Sequence, residues 1–252
     1  MWKCPRCDGV KFWHLSTGQK RCSHCGLTRK FNRTGWDTTR ISPYWKGRLL
    51  EFFCMGVPIY RLRFQVPLDR KTIQRWFLVL REVIFESAIQ ELKMLSGEIE
   101  MDEALFGGKR HGKRGWGAAS KHMVFGIYQR NGMVLTFPIT DRGKRSLIPL
   151  MLEHTTPGSL FYTDDWHAYT LLDIRGNHVV VRKERGRPKG RDHINGIEGF
   201  WSYAKHWLYH YRGVPQMHFP LYLKEIEWRF NHREENIVLL LRNLLNKPVT
   251  EN

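Results

Sequence analysis

Four cysteines and three acidic segments carry most of the chemistry legible in this sequence. Cys4 and Cys7 form one Cys-x2-Cys pair and Cys22 and Cys25 a second, with 14 residues between the pairs. Two such knuckles put four soft thiolates around one point, which suits a tetrahedral structural Zn2+ better than a redox dithiol. Gly9, Gly18 and Gly26 supply turns and Pro5 stiffens the first knuckle. A segment this short needs the metal to fold, because it buries too little apolar surface. His14 and His24 are read as bystanders to a full shell. Cys54, among Phe52, Phe53 and Met55, is read as a buried thiol. The acidic segments are Glu98-Ile99-Glu100-Met101-Asp102-Glu103, Phe161-Tyr162-Thr163-Asp164-Asp165-Trp166 and His193-Ile194-Asn195-Gly196-Ile197-Glu198-Gly199-Phe200-Trp201. Asp102 falls inside an alternating apolar strand, an expensive place for a charge without a partner. Asp164 ends a short buried strand, with Asp165 read as the cap of a helix from Trp166. On the third segment Asn195, Glu198, Ser202 and Lys205 fall on one helical face. Any one of these acids alone is as readily a cap or a surface ion pair. Converging, three carboxylates repel unless a cation sits between them, and hard divalent ions suit such a cluster, typically two Mg2+ about 3.5–4 Å apart.

Bringing these segments together is the task of the elements around them. Residues 1–35 are short, basic and cysteine-bearing. Residues 44–96 show helical spacing, as in Leu49 and Phe53 and in Ile73, Phe77, Leu80 and Ile84. Residues 97–252 begin with short strands: Ile99 and Met101 alternate with polar neighbours, Met123, Phe125 and Ile127 do likewise, and Val134 to Ile139 follows. Asn131-Gly132 predicts a tight turn joining the second and third strands. A helix over 144–153, a run over 159–163, a small helix, a strand over 178–182 and long helical patterns near 193–211 and 219–245 complete the chain. Three antiparallel strands, helix, strand, helix, strand, helix is the element order of an α/β ribonuclease H-like fold, a mixed five-stranded sheet with flanking helices.

Lys plus Arg is 41 against 24 Asp plus Glu, a formal charge of +17 over 252 residues, which favours a polyanionic partner and above all nucleic acid. No run of about 18 apolar residues predicts a membrane span, and 42% hydrophobic residues with 10 Trp exclude disorder. The opening Met-Trp-Lys-Cys is unlike a signal peptide, so a cytoplasmic, nucleoid-associated protein with reduced thiols is expected. Leu68 to Trp76 reads as the turn and second helix of a helix-turn-helix. Asp69 caps it, and Arg70, Lys71, Gln74 and Arg75 are directed at DNA, as against an ordinary solvated basic helix. The loop Gly107–Gly117 holds five glycines and four cations, Lys109, Arg110, Lys113 and Arg114, and residues 182–193 hold six Lys/Arg. Both suit a phosphate backbone, as against plain solvated charge runs. Gly107-Gly108 lacks the setting and the Lys-Ser/Thr ending of a nucleotide-binding loop.

Taken in order, four segments resemble bacterial insertion-sequence DDE transposases with an N-terminal zinc ribbon and an ISXO-like catalytic domain. They are Met101-Asp102-Glu103-Ala104-Leu105-Phe106-Gly107-Gly108-Lys109, Tyr162 to Tyr169, His193 to Trp201 with Lys205, and Glu227-Trp228-Arg229-Phe230-Asn231-His232-Arg233. The resemblance implies an acidic triad of Asp102, Asp164 and Glu198 with Lys205 as basic partner, holding two catalytic Mg2+ or Mn2+. Some relatives are described with Asn in the third position, and Asn195 is the residue here that could play that part in place of Glu198. It also implies binding of terminal inverted repeats, strand cleavage and strand transfer without a covalent intermediate, and a homodimer or larger assembly on DNA. The rival readings are a DNA-binding regulator with a non-catalytic C-terminal domain and a nuclease of the same fold that cuts without joining.

Overall fold

A computed structural model of the chain describes residues 4, 6–15, 19–29, 41–107, 121–164, 175–181, 190, 192–211 and 213–246. The chain divides into two compact units. One is Met1–Val83 with Val238–Asn252, the other Ile84–Ile237. The C-terminal helix, grouped with residues 97–252 on sequence grounds, therefore clusters with the N-terminal unit.

In the first unit β1 (Phe12–His14), β2 (Lys20–Cys22) and β3 (Thr28–Arg29) form an antiparallel ribbon in that order. Helix α1 (Pro43–Cys54) starts where Ser42 accepts a hydrogen bond from the Trp45 N–H and Pro43 presets φ in the first turn. A 3-10 turn (Ile59–Leu62) leads to α2 (Arg70–Gln90), of which the part up to Val83 belongs to this unit. Asp69 caps α2 by accepting from the Thr72 N–H at 2.9 Å and from the Thr72 hydroxyl. Those hydrogen bonds hold its carboxyl below the usual carboxylate range. Leu49, Leu50, Phe53, Leu62, Ile73, Trp76, Phe77 and Leu80 are buried, with Phe53 and Phe77 edge to face.

The second unit holds β4 (Glu98–Phe106), β5 (His122–Gln129), β6 (Val134–Ile139), α3 (Lys144–His154), β7 (Leu160–Thr163), β8 (Asn177–Val180), α4 (Asn195–Tyr209) and α5 (Phe219–Asn231). The sheet order is β6-β5-β4-β7-β8. β4, β5 and β6 pair antiparallel, while β7 lies parallel to both β4 and β8. This is the ribonuclease H-like topology. At the β5–β6 turn Asn131 takes a left-handed φ of 58°, as the Asn-Gly pair predicts. The expected small helix between β7 and β8 lies outside the described residues.

Period-2 alternation splits the core into two layers. Ile99, Met101, Phe125, Ile127, Leu135 and Phe161 face α3 residues Leu147 and Met151. Ala104, Phe106, Val124, Tyr128, Val134 and Tyr162 face α4 and α5 through Ile197, Phe200, Trp201, Leu223 and Ile226. The helical pattern over 219–245 is interrupted: α5 ends at Asn231 and α6 runs Ile237–Asn246. The break falls on the polar run His232-Arg233-Glu234-Glu235-Asn236. There the His232 N–H bonds the Trp228 carbonyl and Arg233 donates to the Phe230 carbonyl, closing off the helix end.

Helix α5 also seals the edge strand β6. The Glu227 carboxylate accepts from the Thr136 N–H at 2.7 Å and the Thr136 hydroxyl at 2.6 Å, and Asn231 both accepts from the Val134 N–H and donates to the Val134 carbonyl. Such contacts occupy backbone groups that would otherwise invite pairing with another chain. Glu227 is in turn ion-paired with buried Lys224 at 2.8 Å. Glu227→Ala is expected to destabilise the unit by about 3–5 kcal/mol, because Lys224 is left buried and unpaired. Urea unfolding measures this, and a loss under about 1 kcal/mol contradicts the role assigned to the pair.

Candidate functional site

Strand register brings the first two acids together. Glu98, Ile99 and Glu100 pair with Leu160, Phe161 and Tyr162 in parallel. Two residues further on, the same offset sets Asp102 beside Asp164, where β7 ends. Carboxyl ends of parallel strands are where sites form in α/β sheets. Carboxylate oxygens of Asp102, Glu103 and Asp164 all lie within 4.8 Å of one another. Asp102 is half-buried, and the Trp201 indole N–H of α4 donates to it at 3.2 Å. Glu103, on the other face of the strand, is buried and takes two hydrogen bonds from Arg142, at 2.7 and 3.1 Å. Arg142 also reaches Asp164 at 3.5 Å. The second Asp164 oxygen, Oδ1, is buried and has no hydrogen-bond partner among the described residues. An anionic oxygen in that state is costly without a cation, and hard oxygen donors suit Mg2+ or Mn2+. The residues present fit a divalent ion.

The third acid does not join this cluster. Glu198 is half-buried on α4, one turn before Trp201, and lies outside the group whose oxygens are within 4.8 Å. Helix α4 is nevertheless pinned to β4 at two points. Its first turn has no side-chain cap of its own, and Glu100, buried on β4, accepts the Ile197 N–H at 2.8 Å. Glu100 is held in turn by Arg130 at 2.8 Å, whose guanidinium also bonds the His193 carbonyl and lies 3.7 Å over the Tyr162 ring. Gly196 is required here, since a Cβ would strike the Tyr128 ring and sit 2.9 Å from the Glu100 carboxylate. The second point is Trp201, packed against Gly126, the residue opposite Asp102 on β5. Lys205 is exposed one turn further on, its ammonium 6.0 Å from the centre of the Phe106 ring. Asn195 is exposed at the helix start.

In the first unit, Arg70, Lys71, Gln74 and Arg75 are exposed along the opening turns of α2, while Ile73 and Trp76 are buried. The 3-10 turn and the residues just after it expose 58% of Tyr60 and 87% of Phe64, with Arg61 and Arg63 placed over those rings. Nothing in the sequence pattern singled out this exposed pair. Lys109, Arg110, Lys113 and Arg114 lie outside the described residues, as do 182–189 and 191.

The cysteines converge as their spacing predicts. All four sulfurs lie within 4.8 Å, Cys4 to Cys25 at 3.5 Å and Cys7 to Cys22 at 3.6 Å. These separations are too long for disulfides and near the edge of a tetrahedron with metal–sulfur bonds of about 2.3 Å. Both knuckles place the residue after the second cysteine in the left-handed region, Asp8 at φ 54° and Gly26 at φ 70°. The backbone N–H groups of Cys25 and His24 bring the Cys22 thiol down to about 6. The Gly9 amide draws Cys7 down, but burial and the three neighbouring thiols outweigh it and push it up to about 12. Four sulfur donors converging on one point suit a shared soft cation, and the donor set fits Zn2+.

Residues 94–231, more than half of the chain, match the ISXO2-like transposase domain. The chain belongs to that family. An uncharacterized transposase-like protein of Haemophilus influenzae is 35% identical over 114 residues, covering 44% of this chain and 93% of its own. Among solved structures, the catalytic domain of Mos1 mariner transposase is 12% identical with a TM-score of 0.25, covering 69% of this chain and 93% of its own. The Mos1 strand transfer complex is 11% identical with a TM-score of 0.23, covering 82% and 79%. At these scores the likeness says nothing further about this chain.

The transposase domain thus contains a matched segment from just before β4 to the end of α5. Within it Glu100, Glu103, Arg130, Arg142 and Trp201 were not singled out from sequence. Glu103 carried a weak signal, a second acid next to Asp102 in an apolar strand. Among the described residues no helix is long and apolar enough to cross a membrane.

Purified chain is expected to carry one zinc ion on the four cysteines. Cys22→Ser is expected to lose it, with the ribbon unfolding, and metal analysis with circular dichroism checks both. Full zinc occupancy in that variant rules out the assignment.

Proposed function

We propose that this transposase binds the terminal inverted repeats of an insertion sequence and cleaves and joins DNA strands by two-metal phosphoryl transfer. Asp102 and Asp164 would hold Mg2+ or Mn2+, with Glu198 completing the ligand set and Zn2+ serving structure in the ribbon. One observation carries the reading: Asp102, midway along β4, and Asp164, just past the end of β7, stand side by side, one of them with a buried oxygen that nothing described satisfies. Bound there, divalent cations supply charge stabilisation at the phosphoryl oxygens and a more acidic water.

The chain's own residues supply the rest. Trp201 fixes the orientation of Asp102 by a single hydrogen bond. Glu100 and Arg130 hold the first turn of α4, and with it the backbone from which Glu198 projects. Lys205 presents a cation near the end of β4, suited to a DNA phosphate. A formal charge of +17 supports DNA as partner, and the exposed cations and aromatic rings of the first unit offer phosphate contacts and stacking surfaces. Cutting and joining two ends requires at least a dimer on DNA, in the cytoplasm at the nucleoid.

Asp102→Ala and Asp164→Ala are expected to reduce cleavage and joining of labelled terminal-repeat DNA with Mg2+ below detection. End binding should persist or tighten slightly, since a negative charge has been removed. Retained joining in Asp102→Ala overturns the site. Activity kept in Glu198→Ala but lost in Asn195→Ala moves the third position to Asn195.

Gln74→Ala or Arg75→Ala is expected to cost about 1–3 kcal/mol on the repeat and to relax specificity. Lys109→Ala or Arg110→Ala should weaken binding on all sequences and flatten the salt dependence. Equal behaviour of the two sets in gel-shift titrations refutes this division.

A further inference from the structure

We propose that Arg142 is a positioning residue for the active-site carboxylates. Anchored by buried Glu103, it lies across Asp164 and sets how strongly the cluster takes a divalent cation. The inference rests on the reading of Asp102 and Asp164 as metal ligands and goes beyond it to the residues that tune them.

The geometry has three parts. Glu103 has a side chain with 0% exposure and receives two hydrogen bonds from Arg142, so the guanidinium is tied from below the sheet. A single nitrogen of that guanidinium serves both Glu103 at 2.7 Å and Asp164 at 3.5 Å. The backbone carrying Arg142 is itself locked: Asp141 accepts from the Gly143 N–H at 2.6 Å and the Ser146 hydroxyl at 2.8 Å, closing the turn into α3. Arg142 cannot swing away from the acids without breaking that turn or abandoning a buried carboxylate.

The charges then have opposite effects on a cation. Three carboxylates lie within 4.8 Å, and Arg142 offsets one of them. Glu103 adds attraction for a metal through its charge, while one of its oxygens, Oε2, takes both Arg142 hydrogen bonds. Arg142 subtracts attraction, and its looser contact with Asp164 is the one a metal would weaken. A residue with a purely structural role would not give these opposed signs.

The test is calorimetric titration of MnCl2 into the zinc-loaded full chain without DNA, with the fold checked by circular dichroism. Glu103→Gln keeps the shape and hydrogen bonds but removes a charge, and should weaken Mn2+ binding about tenfold or more. Arg142→Gln should tighten it by a similar factor of about tenfold, while cleavage at saturating Mn2+ falls because Asp164 loses its orientation. The double variant should return near the original affinity. It also leaves no unpaired buried charge, so it answers the question if Arg142→Gln alone unfolds. Binding that depends on Asp164 but shifts in the same direction in Glu103→Gln and in either Arg142 variant overturns this proposal alone. No Mn2+ binding, or binding indifferent to Asp164→Ala, overturns the metal reading and this proposal with it.

Discussion

Like charges held side by side on adjoining strands repel, and the transposase domain is organised around that repulsion. The parallel register of β4 and β7 forces Asp102 and Asp164 together, since neither residue can leave its row without shifting a strand by one position and turning every side chain to the other face. At about 4 Å two unit charges interact by roughly 4 kcal/mol at an effective dielectric near 20. The fold offsets this with Arg142 on one side of the sheet and the Trp201 indole on the other. The two faces of β4 therefore do different work at consecutive residues: Asp102 meets α4, and Glu103 meets the turn into α3.

Other buried charges follow the same logic at greater distance. Glu100 with Arg130, Glu225 with Arg229 and Glu227 with Lys224 are all paired within 2.9 Å and largely out of solvent. Such pairs contribute little net stability, because desolvation offsets the attraction. Two of them also bind backbone groups elsewhere in the unit. Glu100 takes an N–H from the start of α4, and Glu227 takes one from β6. A hydrophobic replacement of equal volume would fill the space but leave those backbone groups unmet. Their contribution is to fix which strand each helix meets and at which residue.

How much was legible in the sequence follows from this division. The cysteine pairs, the strands from 98 to 139 and the Asn131-Gly132 turn are local patterns, and local patterns survive in one dimension. The β4–β7 pairing joins residues about sixty apart, and no period reveals it. Asp102 and Asp164 were identified from their settings and a family resemblance, whereas the Glu103–Arg142 pair depends on which face each side chain takes and was not seen. The helical run from 219 to 245 was read as one element because apolar residues recur on both sides of His232–Asn236. The polar run and its local hydrogen bonds end the helix instead. Tyr60 and Phe64 depart for a different reason: aromatic residues are buried on average, and here the rings stay exposed, with an arginine and not core set against each.

The position of Glu198 follows from how α4 is held. Ile197 is fixed by Glu100 on one side of it, and Trp201 by Asp102 and Gly126 on the other. A helix pinned on both sides of a residue does not slide to deliver it, because interiors are close-packed and a shift of an ångström would open a gap at one pin and a clash at the other. Gly126 shows how little room there is: a Cβ at that position would stand 2.5 Å from the Trp201 ring. Movement of Glu198 relative to Asp102 is therefore confined to rotation about its own side-chain bonds. Those rotations cross ordinary staggered wells and leave the helix where it is. Substituting Gly126 with alanine would act on the same device from the opposite strand, displacing Trp201 and with it both the hydrogen bond to Asp102 and the fixed base from which Glu198 turns.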